Sequence, residues 1–158
     1  MNEAEVRTAC LELMSKTVVV YLTALEEDGY PRIRAMLNLR NKTRYPDQAY
    51  LYETHDDDFM IYISTNTSSR KVKDIQANPR IGLYFCTTED RFFGVSLTGN
   101  AEIITDMNIK QAVWAEGWEQ YYPTTGDAND PDYTLLRVFP TNARGWMRAQ
   151  TFEFAISR

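Results

Sequence analysis

No stretch of this chain approaches the ~20 consecutive apolar residues that a membrane-crossing helix needs, so a helical membrane protein is not expected. Cysteine is nearly absent. Cys10 falls in a helical pattern and Cys86 in a strand pattern, and each reads as a small buried hydrophobe rather than half of a bridge or a ligand. Histidine occurs once, at His55 beside Asp56-Asp57-Asp58. With no second His or Cys cluster nearby and consecutive carboxylates diverging in most backbones, a solvated loop is expected there and no metal site. Positive charge is in deficit, 17 Lys and Arg against 22 Asp and Glu, which argues against a broad nucleic-acid surface but leaves room for a local basic pocket. Spacing identifies no Ser-His-Asp set, Cys-His pair or carboxylate dyad, so catalytic side chains stay unassigned and hard chemistry would fall to a cofactor. Met1-Asn2-Glu3-Ala4-Glu5 lacks a basic region followed by an apolar one, and the expectation is a soluble, unexported, cytoplasmic protein. Neither internal repeat nor low-complexity segment divides residues 1–158. One domain is expected, large enough to bury a core without disulfide or metal staples.

Against these absences stands one concentrated feature, Thr65-Asn66-Thr67-Ser68-Ser69-Arg70-Lys71. Phe59-Met60-Ile61-Tyr62-Ile63-Ser64 before it has the β-branched and aromatic richness of a strand, while Val72 and Ile75 recur at helical spacing until Asn78-Pro79. A helix therefore starts near Ser68 or Ser69. Its first backbone N–H groups lack intrahelical partners and carry the positive end of the macrodipole, which suits an anion. Thr67 or Ser68 acting as a plain cap is the ordinary alternative. Cations in the first turn, however, oppose the dipole, and Arg70 and Lys71 point to a bound phosphate.

Elsewhere, Val6, Ala9, Cys10 and Leu13 form one face of a short helix that Asn2 can cap. Thr17 to Leu25 reads as a strand, Glu26-Glu27-Asp28-Gly29 as a hairpin turn and Pro31 to Leu39 as the return. Alternation places Arg32, Arg34, Met36 and Asn38 on one face of that return, and Ile33, Ala35, Leu37 and Leu39 on the other. Arg40 to Asp58 is a polar excursion with a possible short strand at Ala49 to Tyr52. Its charged residues favour a mobile flap near a cleft, an edge hairpin being the alternative. A second hairpin joins Arg80 to Cys86 with Phe92 to Ile104 through a charged tip at Thr88 to Arg91. Asp106 caps a further helix bearing Ile109 and Val113, a Tyr-, Pro-, Gly- and Asp-rich loop runs to Asp132, and Tyr133 to Phe139 and Phe152 to Ile156 close the chain as strands.

Taken in order, Pro31-Arg32-Ile33-Arg34-Ala35-Met36 after an acidic turn, Ser64-Thr65 ending a strand, Ser69-Arg70-Lys71 opening a helix and Asn78-Pro79-Arg80 ending it resemble the flavin mononucleotide split-barrel family that includes pyridoxamine 5′-phosphate oxidase. Asp130-Pro131-Asp132-Tyr133-Thr134-Leu135-Leu136-Arg137-Val138, with Pro140 and Trp146, is similar to the general stress protein 26 branch. The resemblance implies a mainly β fold, a six-stranded antiparallel split β-barrel with flanking short helices, paired as a homodimer with flavin mononucleotide (FMN) in interface clefts. It implies that Arg34, Ser69, Arg70 and Lys71 hold the phosphate, that Ala35 and Met36 lay backbone along the ring, that Ser64 and Thr65 touch ring and ribityl, and that Trp146 approaches from the neighbouring subunit.

Two departures shape the functional expectation. Gly94 stands where the oxidase has a flavin-contacting glutamine, and the oxidase's C-terminal Arg-Leu-His-Asp-Arg segment has no counterpart after Trp146, so pyridoxamine 5′-phosphate oxidase activity is not expected. The expectation is an FMN-dependent oxidoreductase passing electrons from a reduced nicotinamide or similar donor to a small acceptor. The alternatives are a non-catalytic flavin-binding or stress-sensing protein, and a deazaflavin- or haem-binding member of the same barrel family.

Overall fold

A computed structural model describes residues 1–87, 89 and 93–158. The tip expected at Thr88 to Arg91, apart from Glu89, and the strand start at Phe92 lie outside the described residues.

The chain opens with helix α1, Glu3–Lys16. Asn2 caps it in a reciprocal box, its side chain accepting from the Glu5 N–H at 2.9 Å while its own N–H donates to the Glu5 carboxylate at 3.0 Å. The helix buries Val6, Cys10, Leu13 and Met14 in the main core. Burial pushes the Cys10 thiol up to about 12, so this cysteine is an unreactive core residue, as its helical position implied.

Strands β1 (Val19–Leu25) and β2 (Pro31–Leu37) form the first hairpin, followed by β3 (Ile61–Asn66), helix α2 (Arg70–Ala77), β4 (Arg80–Thr87), β5 (Phe93–Ile104), helix α3 (Met107–Val113), β6 (Tyr133–Met147) and β7 (Gln150–Ala155). All pair antiparallel in one sheet, in the order β2-β1-β4-β5-β6-β3, with β7 on β6. The mainly β, barrel-like architecture is as expected; among the described residues the strands number seven, as the strand-by-strand reading has them, where the resemblance implies six, and the sheet does not close. Strand β6 is longer than expected, running through Pro140 to Met147 instead of stopping near Phe139. Proline is tolerated because its partner is Gly99 at an irregularity in register between Thr98 and Gly99, where the ladder is already broken. At Gly99 an added Cβ would lie 2.6 Å from the Phe139 carbonyl oxygen and 3.0 Å from Pro140 Cα, both backbone atoms. Gly99→Ala is therefore expected to destabilise the protein by about 1–3 kcal/mol, read as a lower urea midpoint.

The main core lies on the inner face of the sheet, where Leu22, Leu83, Phe85, Val95, Leu97 and Leu136 meet α1. A second cluster on the other side of β3 and β6 gathers Tyr62, Leu135 and Tyr133 with Trp118 and Tyr122 from the loop after α3.

The Arg40 to Asp58 excursion differs from both readings of it. Pro46–Tyr52 is a 3₁₀ helix with proline at its start, not a strand, and the segment is packed rather than a flap. The buried Arg40 guanidinium donates to the Met60 carbonyl at 2.8 Å and the His55 carbonyl at 2.7 Å, and lies 4.9 Å from the centre of the buried Tyr52 ring. Gln48 donates to the Trp114 carbonyl at 2.9 Å. The charged residues Lys42, Arg44, Asp47, Glu53, Asp56 and Asp57 do remain exposed. The inference failed because the uncharged residues between them carry the packing. Nor is His55 solvated: it is half-buried, its Nδ1 2.9 Å from Asp58 Oδ2 and its ring edge-on to Phe139.

Candidate functional site

The two ends of the strand path, β2 and β3, approach one another without pairing, and α2 leaves the end of β3 to pack on β1. This open seam collects the residues singled out in the sequence. In the β1–β2 ladder Arg34 is opposite Leu22 and Arg32 opposite Ala24, so both arginines share the inner face, while Ile33 on the outer face is 66% exposed. The usual burial order is reversed in this strand. Met36 packs on the core from that same inner face, and Ala35 sits exposed on the outer one. Asn38, expected beside the arginines, instead ties α1 down by donating to the Met14 and Thr17 carbonyls at 2.7 and 2.8 Å.

The turn into α2 is held from a distance by Asp132. Its carboxylate accepts from the Ser68 N–H at 2.7 Å and from the Asn66 side chain at 2.8 Å, and its carbonyl accepts from the Thr67 N–H at 2.7 Å. The Asn66 side chain and Ser68 N–H hold the Asp132 carboxyl below its usual range. The Thr67 hydroxyl is spent on Thr134 at 2.7 Å. Neither Thr67 nor Ser68 caps the helix, then. Ser69 is the N-cap residue, no side chain caps it, and its buried Oγ has no hydrogen-bond partner among the described residues. The first turn of α2 contains no acidic residue. A helix start with unspent donors and an orphaned hydroxyl fits an anion better than the plain-cap alternative does.

Around this start the positive charge is poorly neutralised. Lys71 Nζ donates to the Thr65 hydroxyl at 2.7 Å, a neutral acceptor, and burial followed by the Arg34 charge pushes the Lys71 ammonium down from its ordinary value. Burial likewise lowers Arg34, with Arg32 and Arg70 acting in the same direction and Asp74 and Glu26 opposing. Arg70 is largely exposed, and its Nη2 is 3.9 Å from Glu26 Oε1. Among the described residues the negative charges acting on Arg32, Arg34 and Arg70 are Glu26, Asp74 and, on Arg32, Asp28, and one Asp74 oxygen is buried without a partner.

Arg34, Thr65, Ser69, Arg70 and Lys71 are therefore gathered at the seam. Ser64 is not: alternation turns its buried hydroxyl to the opposite face of β3, beside the Tyr122 phenol. Trp146 is not either. It is 55% exposed on the outer face of β6, paired with Gly94, and lines a groove of about 660 Å³ with Tyr84, Arg144 and Phe152. The Tyr84 hydroxyl lies where a side chain on residue 94 would begin, which is how the chain uses the space left by that glycine. Sequence reading missed Asp132 as the holder of the turn and Glu26 and Asp74 as counter-charges. The Asp-Pro-Asp run was visible, but nothing local says that it reaches 64 residues back to Ser68.

Architecture and site together define an open antiparallel barrel with a cluster of cations and a bare helix start in its seam. The model of one family, described as pyridoxamine 5′-phosphate oxidase, matches residues 6–147. The chain belongs to the pyridoxamine 5′-phosphate oxidase family. Among solved structures it is similar to a Clostridium acetobutylicum protein related to general stress protein 26 of B. subtilis, with 29% identity over 98% of this chain and 97% of that one and a TM-score of 0.77. General stress protein 26 from Bacillus anthracis shares the fold at 15% identity, covering 96% and 99% of the two chains, with a TM-score of 0.70. So does a heme-binding protein from Mycobacterium smegmatis, at 14% identity over 93% of this chain and 57% of that one, TM-score 0.64. No curated protein matches. Among the described residues no helix is long and apolar enough to cross a membrane.

Proposed function

We propose that this protein binds FMN at the β2–β3 seam and uses it as an oxidoreductase on a small substrate. The observation that carries the reading is the start of α2, where Ser69 Oγ is orphaned and Lys71 and Arg34 are both pushed below their ordinary values, by burial first and by neighbouring positive charge second. A phosphate monoester brings about 1.5–2 negative charges and three acceptor oxygens, which answers the charge and the spare donors together. Arg34, Ser69, Arg70 and Lys71 would hold the phosphate, Thr65 would orient Lys71, and the β2 backbone at Ala35 and Met36 would lie along the ring. Bound flavin would supply the electron-transfer chemistry. The chain's residues would anchor it, orient it and exclude water.

A second copy of the chain completes the reading. Trp146 and Arg34 leave opposite faces of the sheet, so one copy does not bring both to one ligand. The outer face also exposes Tyr21 and Tyr84 as a cross-strand pair, with Ile33 on the neighbouring strand, a contiguous apolar surface of the kind that marks an interface. A homodimer seated there would carry Trp146 and its groove toward the partner's seam. Turnover of pyridoxamine 5′-phosphate itself is not part of the proposal. After Trp146 the chain turns through Arg148 and Ala149, both with positive φ, straight into β7, and carries no Arg-Leu-His-Asp-Arg sequence there.

The test is titration of the purified protein with FMN and with riboflavin, followed by flavin fluorescence. FMN is expected to bind at least tenfold more tightly, since charged hydrogen bonds contribute about 1.5–3 kcal/mol each. Equal affinity, or none for either, rejects the reading.

A further inference from the structure

Glu26 follows the last residue of β1, at the start of the turn into β2. Its neighbours Glu27 and Asp28 are exposed, but its own side chain is only 7% exposed and folds back toward the seam. It accepts from Arg32 Nε at 3.0 Å and Arg32 Nη2 at 3.1 Å, a two-pronged pair, and lies 3.9 Å from Arg70 Nη2. The Arg32 hydrogen bond, against an opposing burial effect and with the charges of Arg32, Arg70 and Arg34, holds the Glu26 carboxyl below its usual range, so it is ionised throughout the neutral region. A carboxylate, like a phosphate, offers a guanidinium two anionic oxygens that it can grip together. Glu26 therefore already occupies part of the recognition capacity of the seam.

We propose that Glu26 is an internal counter-anion that competes with the ligand's phosphate for Arg70 and so holds phosphate affinity below what the cations alone would give. This rests on the seam being a phosphate site. Arg32 stays with Glu26, whereas Arg70, exposed and bound at long range, is the guanidinium free to transfer. The same carboxylate repels any anion at the helix start. Asp74, on α2, acts on Arg34 and Arg32 through its charge and adds to that repulsion, but among the described residues it forms no ion pair with Arg70, and the exposed Asp28 acts on Arg32.

The experiment compares wild-type protein with Glu26→Gln, which keeps the shape and removes the charge, using three probes: inorganic phosphate, FMN and riboflavin. Glu26→Gln is expected to tighten phosphate and FMN by about fivefold, the upper range for a partly screened charge, and to leave riboflavin unchanged. Glu27→Gln removes a charge one residue away and is expected to change none of them. In an Arg70→Ala background the gain from Glu26→Gln shrinks to the part due to direct repulsion, an outcome that a merely structural role for Glu26 would not produce. Glu26→Ala moves phosphate and FMN in the same direction as Glu26→Gln and guards against an effect peculiar to the amide. Unchanged or weaker phosphate binding in Glu26→Gln overturns the inference. Tighter phosphate binding without FMN binding leaves it standing and rejects the flavin reading instead, while FMN binding that is equal in wild type and variant does the reverse.

Discussion

Replacing Lys71 with Met is expected to weaken FMN binding by roughly ten- to 150-fold, about 1.5–3 kcal/mol, while riboflavin binding stays where it was. The ammonium is half-buried and bonded only to the Thr65 hydroxyl, so it has little solvent or counter-charge to leave when a phosphate arrives. Arg34→Ala is expected to fall in the same range for the same reason. Arg70→Ala should cost less, about 1 kcal/mol or below, because Arg70 must first give up Glu26 and solvent. Stability without ligand should move the other way. A lysine whose folded pKa lies below its unfolded value costs stability while it is charged, and that cost fades as pH rises through the folded pKa. Lys71→Met is thus expected to raise the melting temperature of the ligand-free protein at pH 7, with the difference shrinking at alkaline pH. Loss of stability at pH 7 together with unchanged FMN affinity would show that Lys71 is a structural residue.

How far the sequence reaches differs from one part of the molecule to another. The β1–β2 hairpin, α2 and both side-chain caps were legible because their signals are local: an acidic turn with glycine, 3.6-residue periodicity, and Asn or Asp placed before an apolar face. The cluster of hydroxyls and cations at the seam was legible for the same reason, since Thr65, Ser69, Arg70 and Lys71 lie within seven positions of one another. What failed was non-local. The 3₁₀ helix from Pro46 to Tyr52 looked like a strand because Tyr50-Leu51-Tyr52 carries strand residues, and only packing against Tyr62 in the second core cluster determines that Tyr52 is buried.

The length of β6 was hidden by Pro140, a residue that ordinarily ends a strand. Its tolerance depends on Gly99, 41 positions earlier, standing opposite it at a break in register. Asp132 and Glu26 show the same limit at the site. Each is an acidic residue in a turn, indistinguishable by composition from the solvated Glu27 or Asp127. Burial of one and long-range bonding of the other separate them, and both are properties of the folded chain.

Tyr21→Glu is expected to abolish the proposed homodimer, raising its dissociation constant by roughly a thousandfold. Tyr21 and Tyr84 stand opposite one another on β1 and β4, with Ile33 on the adjoining strand, and all three are exposed on the face away from the core. An aromatic residue at the centre of an interface contributes about 2 kcal/mol or more. In a two-fold assembly the substitution occurs twice, so about 4 kcal/mol is lost. The charge is the effective element, because a carboxylate among apolar groups is costly to desolvate without a cation to meet it. Tyr50→Glu, on the 3₁₀ helix and more exposed than Tyr21, changes charge equally but is not on that face, and is expected to leave the assembly intact. Light scattering reads the mass, and Trp146 fluorescence reads the site: if the partner's Trp146 approaches the flavin, FMN quenches it in the wild-type dimer and not in the Tyr21→Glu monomer. A wild-type protein that is monomeric at micromolar concentration, or a Tyr21→Glu protein that still dimerises, would remove the outer face from the interface and with it the composite site.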